Sequence, residues 1–329
     1  MKRNAPAAAI AALGLANAHA AGNELEGRVT ASDGLVAYSV PMVEGVQAPC
    51  CYTIHGRAVT QKGCNLDGRG GIVVTDDGDD RKAALDDTVT VYLRVERGHI
   101  GRVRVLGASC PVQTASAVRW IDSVDPASSI AMLSSLVDRN ATGDPDDHGL
   151  DALAYHAGAA ATRALALHAE RSHRSKEREQ ALFWLGQTRG VEGADVIEHY
   201  ATTDADPKLR EHAIFALSQS QAPDAYAHIL AIAHKDPAER VRSQAYFWLA
   251  QMNDERAKDD IIAALKSESS EEVREETVFA LSQLEDTADE ALITVLRGDF
   301  PRAVKKQALF WLGQSGSPAA MAYFDEALK

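Results

Sequence analysis

One eleven-residue block is written five times in the second half of this 329-residue chain. The copies are EREQALFWLGQ from Glu177, LREHAIFALSQ from Leu209, VRSQAYFWLAQ from Val241, VREETVFALSQ from Val273 and VKKQALFWLGQ from Val304. Successive copies begin 32, 32, 32 and 31 residues apart. A period of that length is shorter than a domain, so each unit must bury its apolar face on its neighbours. Every block is followed by a turn and a second amphipathic segment, as at Asp224–His234, Asp259–Lys266 and Asp289–Leu296. The unit is a pair of helices, and its repetition predicts a solenoid.

Placed on a helix at about 100° per residue, positions 1, 5, 8 and 9 of each block fall together and predict the core stripe. Position 8 reads Trp184, Ala216, Trp248, Ala280 and Trp311. Such alternation of large and small suits interdigitating neighbours, so the tryptophans are expected to be core wedges. On that reading Trp248→Ala costs about 3–5 kcal/mol. Position 7 lies away from the stripe and is Phe in all copies: Phe183, Phe215, Phe247, Phe279 and Phe310. Position 11, one turn on, is always Gln: Gln187, Gln219, Gln251, Gln283 and Gln314. Position 2 is Arg178, Arg210, Arg242, Arg274 and then Lys305, and preceding acids such as Asp206 and Asp236 are expected to pair with the next repeat's Arg.

These blocks resemble the HEAT-repeat family, in particular the short bacterial HEAT-like repeats built on a V-R-x-x-A-x-x-x-L-G helix. The resemblance runs from about Glu177 to the C-terminus, and Asp151–His168 looks like a further, degenerate pair. It implies a right-handed α-solenoid whose block helices line a concave surface, and it implies no reaction. Two readings of positions 7 and 11 follow. In one, a Phe/Gln ladder lines the groove and binds an extended or helical peptide, the amides reading backbone groups and the rings receiving side chains. In the other, the rings pack on the next repeat and the amides bond inter-repeat backbone, a purely structural ladder.

The first half follows a different grammar. Leu35–Val40 is an apolar run ended by Pro41, and Val89–Val95 alternates into a turn at Glu96–His99 and back along Ile100–Leu106. Those two alternating runs predict a β-hairpin. From Pro126 onward the sequence is Ala- and Leu-rich and helical, with a polar linker at Asp138–Gly149. Met1-Lys2-Arg3, the apolar run Ala7–Leu15 and the small-x-small Ala18-His19-Ala20 read as a secretory signal peptide. The expected organisation is a signal peptide at 1–20, a β module at 21–125 and a HEAT-like solenoid at 126–329. The fold class is α+β in several parts, a small N-terminal β module followed by an α-α superhelix.

The four cysteines, Cys50, Cys51, Cys64 and Cys110, all lie in the β half. In an exported protein an even number suggests two disulfides. Adjacent Cys50 and Cys51 are poorly placed to bond each other, so each should take one of Cys64 and Cys110, in either order. The rival reading adds His55 and makes Cys50, Cys51 and Cys64 a metal or redox site. It lacks a C-x-x-C pair, and no metal or other cofactor is assigned.

Partners and chemistry are bounded next. A net charge of −13, or −15 without Lys2 and Arg3, disfavours nucleic acid and anionic lipid. No later stretch approaches 18 apolar residues, so no membrane span is expected. There is no H-E-x-x-H, G-x-S-x-G or P-loop, the run Asp76–Asp80 lacks calcium-loop spacing, and no catalytic residue is assigned. The Tyr38–Pro41 strand, the Cys50-Cys51…Cys64 segment and the five blocks together also resemble a family of exported proteobacterial HEAT repeat domain-containing proteins, which implies a periplasmic location. The expected function is non-enzymatic binding of a protein or peptide. A cysteine-based metal or redox module and a bilin-lyase-like enzyme are the alternatives.

Overall fold

The computed structural model describes residues 20–55, 58–61, 64–67, 86–139, 149–171 and 174–327. The expected signal segment up to residue 19 and the acidic run Asp76–Asp80 lie outside the described residues. The chain divides into two compact units, Met1–His173 and Arg174–Lys329. The change from β to helical sequence at Pro126 and the division between units are different boundaries, because the first three helices after Pro126 belong to the same compact unit as the strands.

The first unit contains α1 (20–30), β1 (Gly34–Pro41), β2 (Tyr52–His55), β3 (Ala58–Gln61), β4 (Cys64–Asn65), β5 (Thr88–Glu96), β6 (His99–Gly107), β7 (Val112–Gln113) and β8 (Val118–Trp120). Then come α2 (Pro126–Arg139), α3 (Gly149–Tyr155) and α4 (Ala159–Arg171). The alternating runs form the expected antiparallel hairpin β5–β6, closed by Arg97 and Gly98 at φ 52° and 72°. Two successive positive φ values give the turn that matches strand twist. Asp33 accepts both turn N–H groups at 2.9 Å, and the Gly98 bond, then the Arg97 bond, hold its carboxyl below the ordinary range.

Four strands form one sheet in the order β6-β5-β1-β8, with β1 antiparallel to β5 and parallel to β8. Both faces of this sheet are covered, which is why β1 is almost continuously buried rather than alternating. On one face Leu35, Ala37, Tyr92 and Leu106 pack with all four cysteines. The disulfides are Cys50–Cys110 and Cys51–Cys64, each adjacent cysteine taking a different partner as expected. They tie the segment after β1 to the end of the hairpin and to β4. Asp67, just beyond β4, accepts from the Ala115 N–H, Arg94, Thr114 and Ser116, and these bonds hold its carboxyl down to about 2.

On the opposite face Tyr38 points into the helices. Its hydroxyl lies 2.7 Å from Ser129 Oγ on α2, and Ser129 Oγ lies 2.8 Å from His156 Nε2 at the end of α3. His156 Nδ1 lies 2.6 Å from the Ala152 carbonyl, which can only accept. In a neutral ring this fixes the direction of the whole chain: Nδ1–H donates to Ala152, Ser129 donates to Nε2, and Tyr38 donates to Ser129. All three side chains are buried, so sheet and helices are joined through a satisfied polar relay rather than by apolar contact alone.

The second unit is ten helices among its described residues. They are α5 (Ser175–Thr188), α6 (Gly190–Thr203), α7 (Pro207–Ser218), α8 (Ala225–Lys235), α9 (Glu239–Gln251), α10 (Ala257–Ser267), α11 (Glu271–Ser282), α12 (Ala288–Arg297), α13 (Arg302–Ser315) and α14 (Pro318–Ala327). The odd-numbered helices carry the five blocks. Consecutive odd helices touch along their length, whereas consecutive even helices meet far less, so the block helices form the tighter layer of the stack. Starts are locally encoded. Asp206 caps α7 through the Lys208 N–H with Pro207 in the first turn, and Ser270 caps α11 through the Val273 N–H.

The repeat loops share one electrostatic rung. Asp204, Asp236 and Glu268 each follow an even helix, and each carboxylate accepts the N–H two residues on, at 2.9, 2.8 and 2.9 Å. Each also pairs with the Arg of the block before it: Arg178 with Asp204, Arg210 with Asp236, Arg242 with Glu268. The carbonyls of the same acids accept from the block after them, Arg210, Arg242 and Arg274, at 2.8, 3.0 and 2.9 Å. The expected pairing direction is therefore corrected. The Asp236 carboxylate takes Arg210, and it is only the Asp236 carbonyl that takes Arg242. The place equivalent to the acid after Arg274 is held by Phe300, so that Arg has no carboxylate rung.

Three tests follow. Arg210 and Asp236 are both buried, so Arg210→Met should cost about 3–5 kcal/mol by leaving the carboxylate alone. Arg274→Met should cost the least of the four arginines, with both read by chemical denaturation. In the first unit, burial pushes the Tyr38 and Tyr155 hydroxyls far above their ordinary value. Stability contributed by those protonated hydroxyls is complete below about pH 10 and falls as pH rises beyond it. Melting temperatures followed by near-ultraviolet dichroism should drop there, and Tyr38→Phe should reduce the slope. The third test uses two glycines in identical heptapeptides. A methyl at Gly186 would run into the Ala216 carbonyl oxygen of α7, whereas one at Gly313 meets only the edge of Phe324. Gly186→Ala should destabilise by about 1–3 kcal/mol, and Gly313→Ala should be neutral or stabilise by up to about 1 kcal/mol.

Candidate functional site: an aromatic and glutamine row

Burial along the block helices is shifted from the expected stripe. Positions 1, 5 and 9 are buried in all five copies, and position 6 is buried as Leu182, Ile214, Tyr246 and Val278. Position 8 is buried only where it is Ala, at Ala216 and Ala280. Trp184, Trp248 and Trp311 are half-buried. The expectation that they are core wedges is therefore corrected, for an angular reason. Each of the three inner block helices is flanked by block helices on two sides and backed by its own partner helix, so its buried arc is wide. That arc centres between positions 5 and 6, leaving position 8 on its border beside positions 4, 7 and 11. A side chain as large as Trp turns outward there.

The tryptophans join the phenylalanines instead. From the start of the array the rings read Trp184, Phe183, Phe215, Trp248, Phe247, Phe279, Trp311 and Phe310, each touching the next. Within a helix, Phe stands edge-on to its neighbouring Trp, at centroid distances of 5.2, 5.0 and 5.0 Å. Between helices two geometries alternate. Phe183–Phe215 and Phe247–Phe279 stack nearly parallel, at 6.0 and 6.1 Å with interplanar angles of 14° and 10°. Phe215–Trp248 and Phe279–Trp311 are tilted, at 4.9 and 5.0 Å. Eight rings thus form one continuous row across five repeats, stabilised by preferred aromatic geometries. Four of the phenylalanines are half-buried and Phe310 is exposed, so every ring keeps solvent-facing surface.

The glutamines border this row. Gln187 and Gln283 are half-buried, and Gln219, Gln251 and Gln314 are exposed. Gln251 Nε2 reaches the Gln283 carbonyl of the next block helix at a long 3.5 Å. Gln219 and Gln283 instead donate to Ser218 and Ser282 on their own helices, at 3.2 and 3.0 Å. The amides thus carry both inter-repeat and local bonds. His212 stands edge-on to Phe215 at 5.6 Å, and burial lowers its pKa, so it adds no charge beside the row at neutral pH. The row offers ring faces and edges to apolar, aromatic or proline side chains, and amides to backbone groups.

The cysteine site of the rival reading is arranged differently. The sulfurs of Cys50, Cys64 and Cys110 lie within 4.8 Å of one another, but in disulfides they are not thiolates, the form that ligates metal. The position of Trp120, exposed at the sheet edge and edge-on to Tyr92 at 6.3 Å, carried no sequence signal.

Truncating a half-buried ring removes ring contacts and part of an apolar burial. Trp248→Ala should therefore cost about 1–2 kcal/mol, below the value expected of a core wedge, as read by urea denaturation.

Comparison with protein families places these geometries. A model described as HEAT repeats matches residues 162–247 and again residues 226–297. The matched stretch runs from within α4 to the end of α12 and so contains four of the five blocks. A comparison with curated proteins finds no match.

Proposed function

Starting from a HEAT-like repeat protein, we propose that the chain is an exported, non-enzymatic scaffold that holds a polypeptide along the row of rings and glutamines. HEAT repeats as a class form protein-interaction solenoids, and no helix among the described residues is long and apolar enough to cross a membrane. The observation that carries the reading is the ring row itself. Eight aromatic side chains in mutual contact keep exposed surface in every repeat, on the more tightly packed layer of the stack. A purely structural ladder would gain by burying them. Contiguous exposed aromatic surface of this kind marks protein-binding sites.

The binding mode follows from the chemistry. The rings are continuous rather than separated by pockets, so the partner lies across them as a strip and not as a set of isolated anchors. The amides at each repeat supply polar contacts at the repeat spacing. The basic start and apolar run at residues 1–20 support export, and two disulfides suit an oxidising compartment such as the periplasm.

Affinity capture from a periplasmic extract tests this. Wild type should retain one or a few proteins that the double variant Phe247→Ser, Phe279→Ser loses, while Trp120→Ser keeps them. Identical capture by all three would remove the row as the binding site.

A further inference from the structure

The last block presents a face that its four predecessors keep covered. Position 6 is at most 1% exposed as Leu182, Ile214, Tyr246 and Val278, yet Leu309 is 45% exposed and Phe310 beside it 52%. On this side of the earlier blocks the next block helix packs against positions 7 and 10, and the blocks come in two alternating types. Type one carries Trp at position 8 and Gly or Ala at position 10, in the first, third and fifth copies. Type two carries Ala at position 8 and Ser at position 10, in the second and fourth.

A type-one helix meets a following type-two helix twice, through parallel stacking of Phe183 on Phe215 and of Phe247 on Phe279. In the first of these contacts Gly186 is a notch filled by the backbone of Ala216, so close that no Cβ would fit. The fifth block repeats ALFWLGQ letter for letter, and its Gly313 keeps the same notch with only the tip of Phe324 nearby. Its third position is basic, unlike that of the other copies. Position 3 is Glu179, Glu211, Ser243 and Glu275 in the first four blocks and an exposed Lys306 in the fifth, preceded by Lys305 and Arg302.

We infer that the face formed by Leu309, Phe310 and Gly313 is a second docking site, and that it takes an acidic amphipathic helix of a partner protein with the type-two pattern, Phe followed by Ala. The surface continues an interface already made twice within the chain, which specifies its complement. A Phe stacks on Phe310, a small residue after it lets the helix backbone enter the Gly313 notch, and carboxylates one turn earlier face Lys306 and Lys305. Trp in place of that Ala holds the helices apart, so a second copy of the fifth block is a poor fit. Phe310 is also the last ring of the row, whereas Leu309 and Gly313 lie outside it, so substitutions at those two positions test this site apart from the groove.

The probe is a fluorescent synthetic peptide of residues 270–285, which carries Glu275, Glu276, Phe279 and Ala280 in one helix. Titrated with the full chain and followed by anisotropy, it should bind saturably at one site. Gly313→Leu and Leu309→Asp, both at exposed positions, should each weaken it roughly tenfold or more, and the peptide bearing Ala280→Trp should lose binding comparably. Lys306→Glu should weaken it less, and only at low salt. Circular dichroism of each variant establishes that the helices remain. Three results would overturn the inference: no saturable binding, binding indifferent to Gly313→Leu and Leu309→Asp, or sedimentation showing a dimer that Gly313→Leu dissolves.

Discussion

The second unit depends on how closely one block helix can approach the next. Position 5 is small and fully buried in every copy, as Ala181, Ala213, Ala245, Thr277 and Ala308, and Gly186 lets the Ala216 backbone in further still. At that separation, side chains at equivalent positions of neighbouring helices must touch or clash. The phenylalanines are kept at one position in every copy and so stack. The tryptophans, displaced from the edge of the buried arc, fill the intervals between them. The aromatic row is thus a geometric result of small-residue packing repeated at a fixed period. The loop rungs serve the same end, because each acid fixes its own turn while gripping the arginine of the block before it and lending its carbonyl to the block after it.

Much of this was legible because it is periodic or local. The repeat gave the helix pairs, strand alternation gave the β5–β6 hairpin, and the impossibility of an easy Cys50–Cys51 bond narrowed the disulfide partners. Three features were not. The place of Trp248 depends on the width of a buried arc, set by neighbours on three sides and invisible in one helix. The partner of Arg210 lies 26 residues downstream at Asp236, although Asp206 is far closer in sequence. The relay from Tyr38 through Ser129 to His156 joins residues separated by 91 and then 27 positions, each unremarkable in its own segment.

The first unit solves a different problem with the same economy of contacts. Antiparallel sheets often leave one face wet, but here both faces of the four-stranded sheet are covered. One side is sealed by two disulfides whose sulfurs sit among Leu35, Tyr92 and Leu106, the other by helices reached through the tyrosine relay. The disulfides hold the segment after β1 to β4 and to the end of the hairpin, and the relay ties α2 and the end of α3 to β1.

The alternation of block types has a consequence for how such an array can change length. Because Trp-bearing and Ala-bearing helices alternate through the five copies, the array has parity. Excising a single 32-residue unit from its interior would set like against like, bringing a Trp onto the Phe of a Trp-bearing helix where it now meets the Phe of an Ala-bearing one. Excising or duplicating two adjacent units preserves both interface types. The structural module of this solenoid is therefore a pair of repeats rather than a single one.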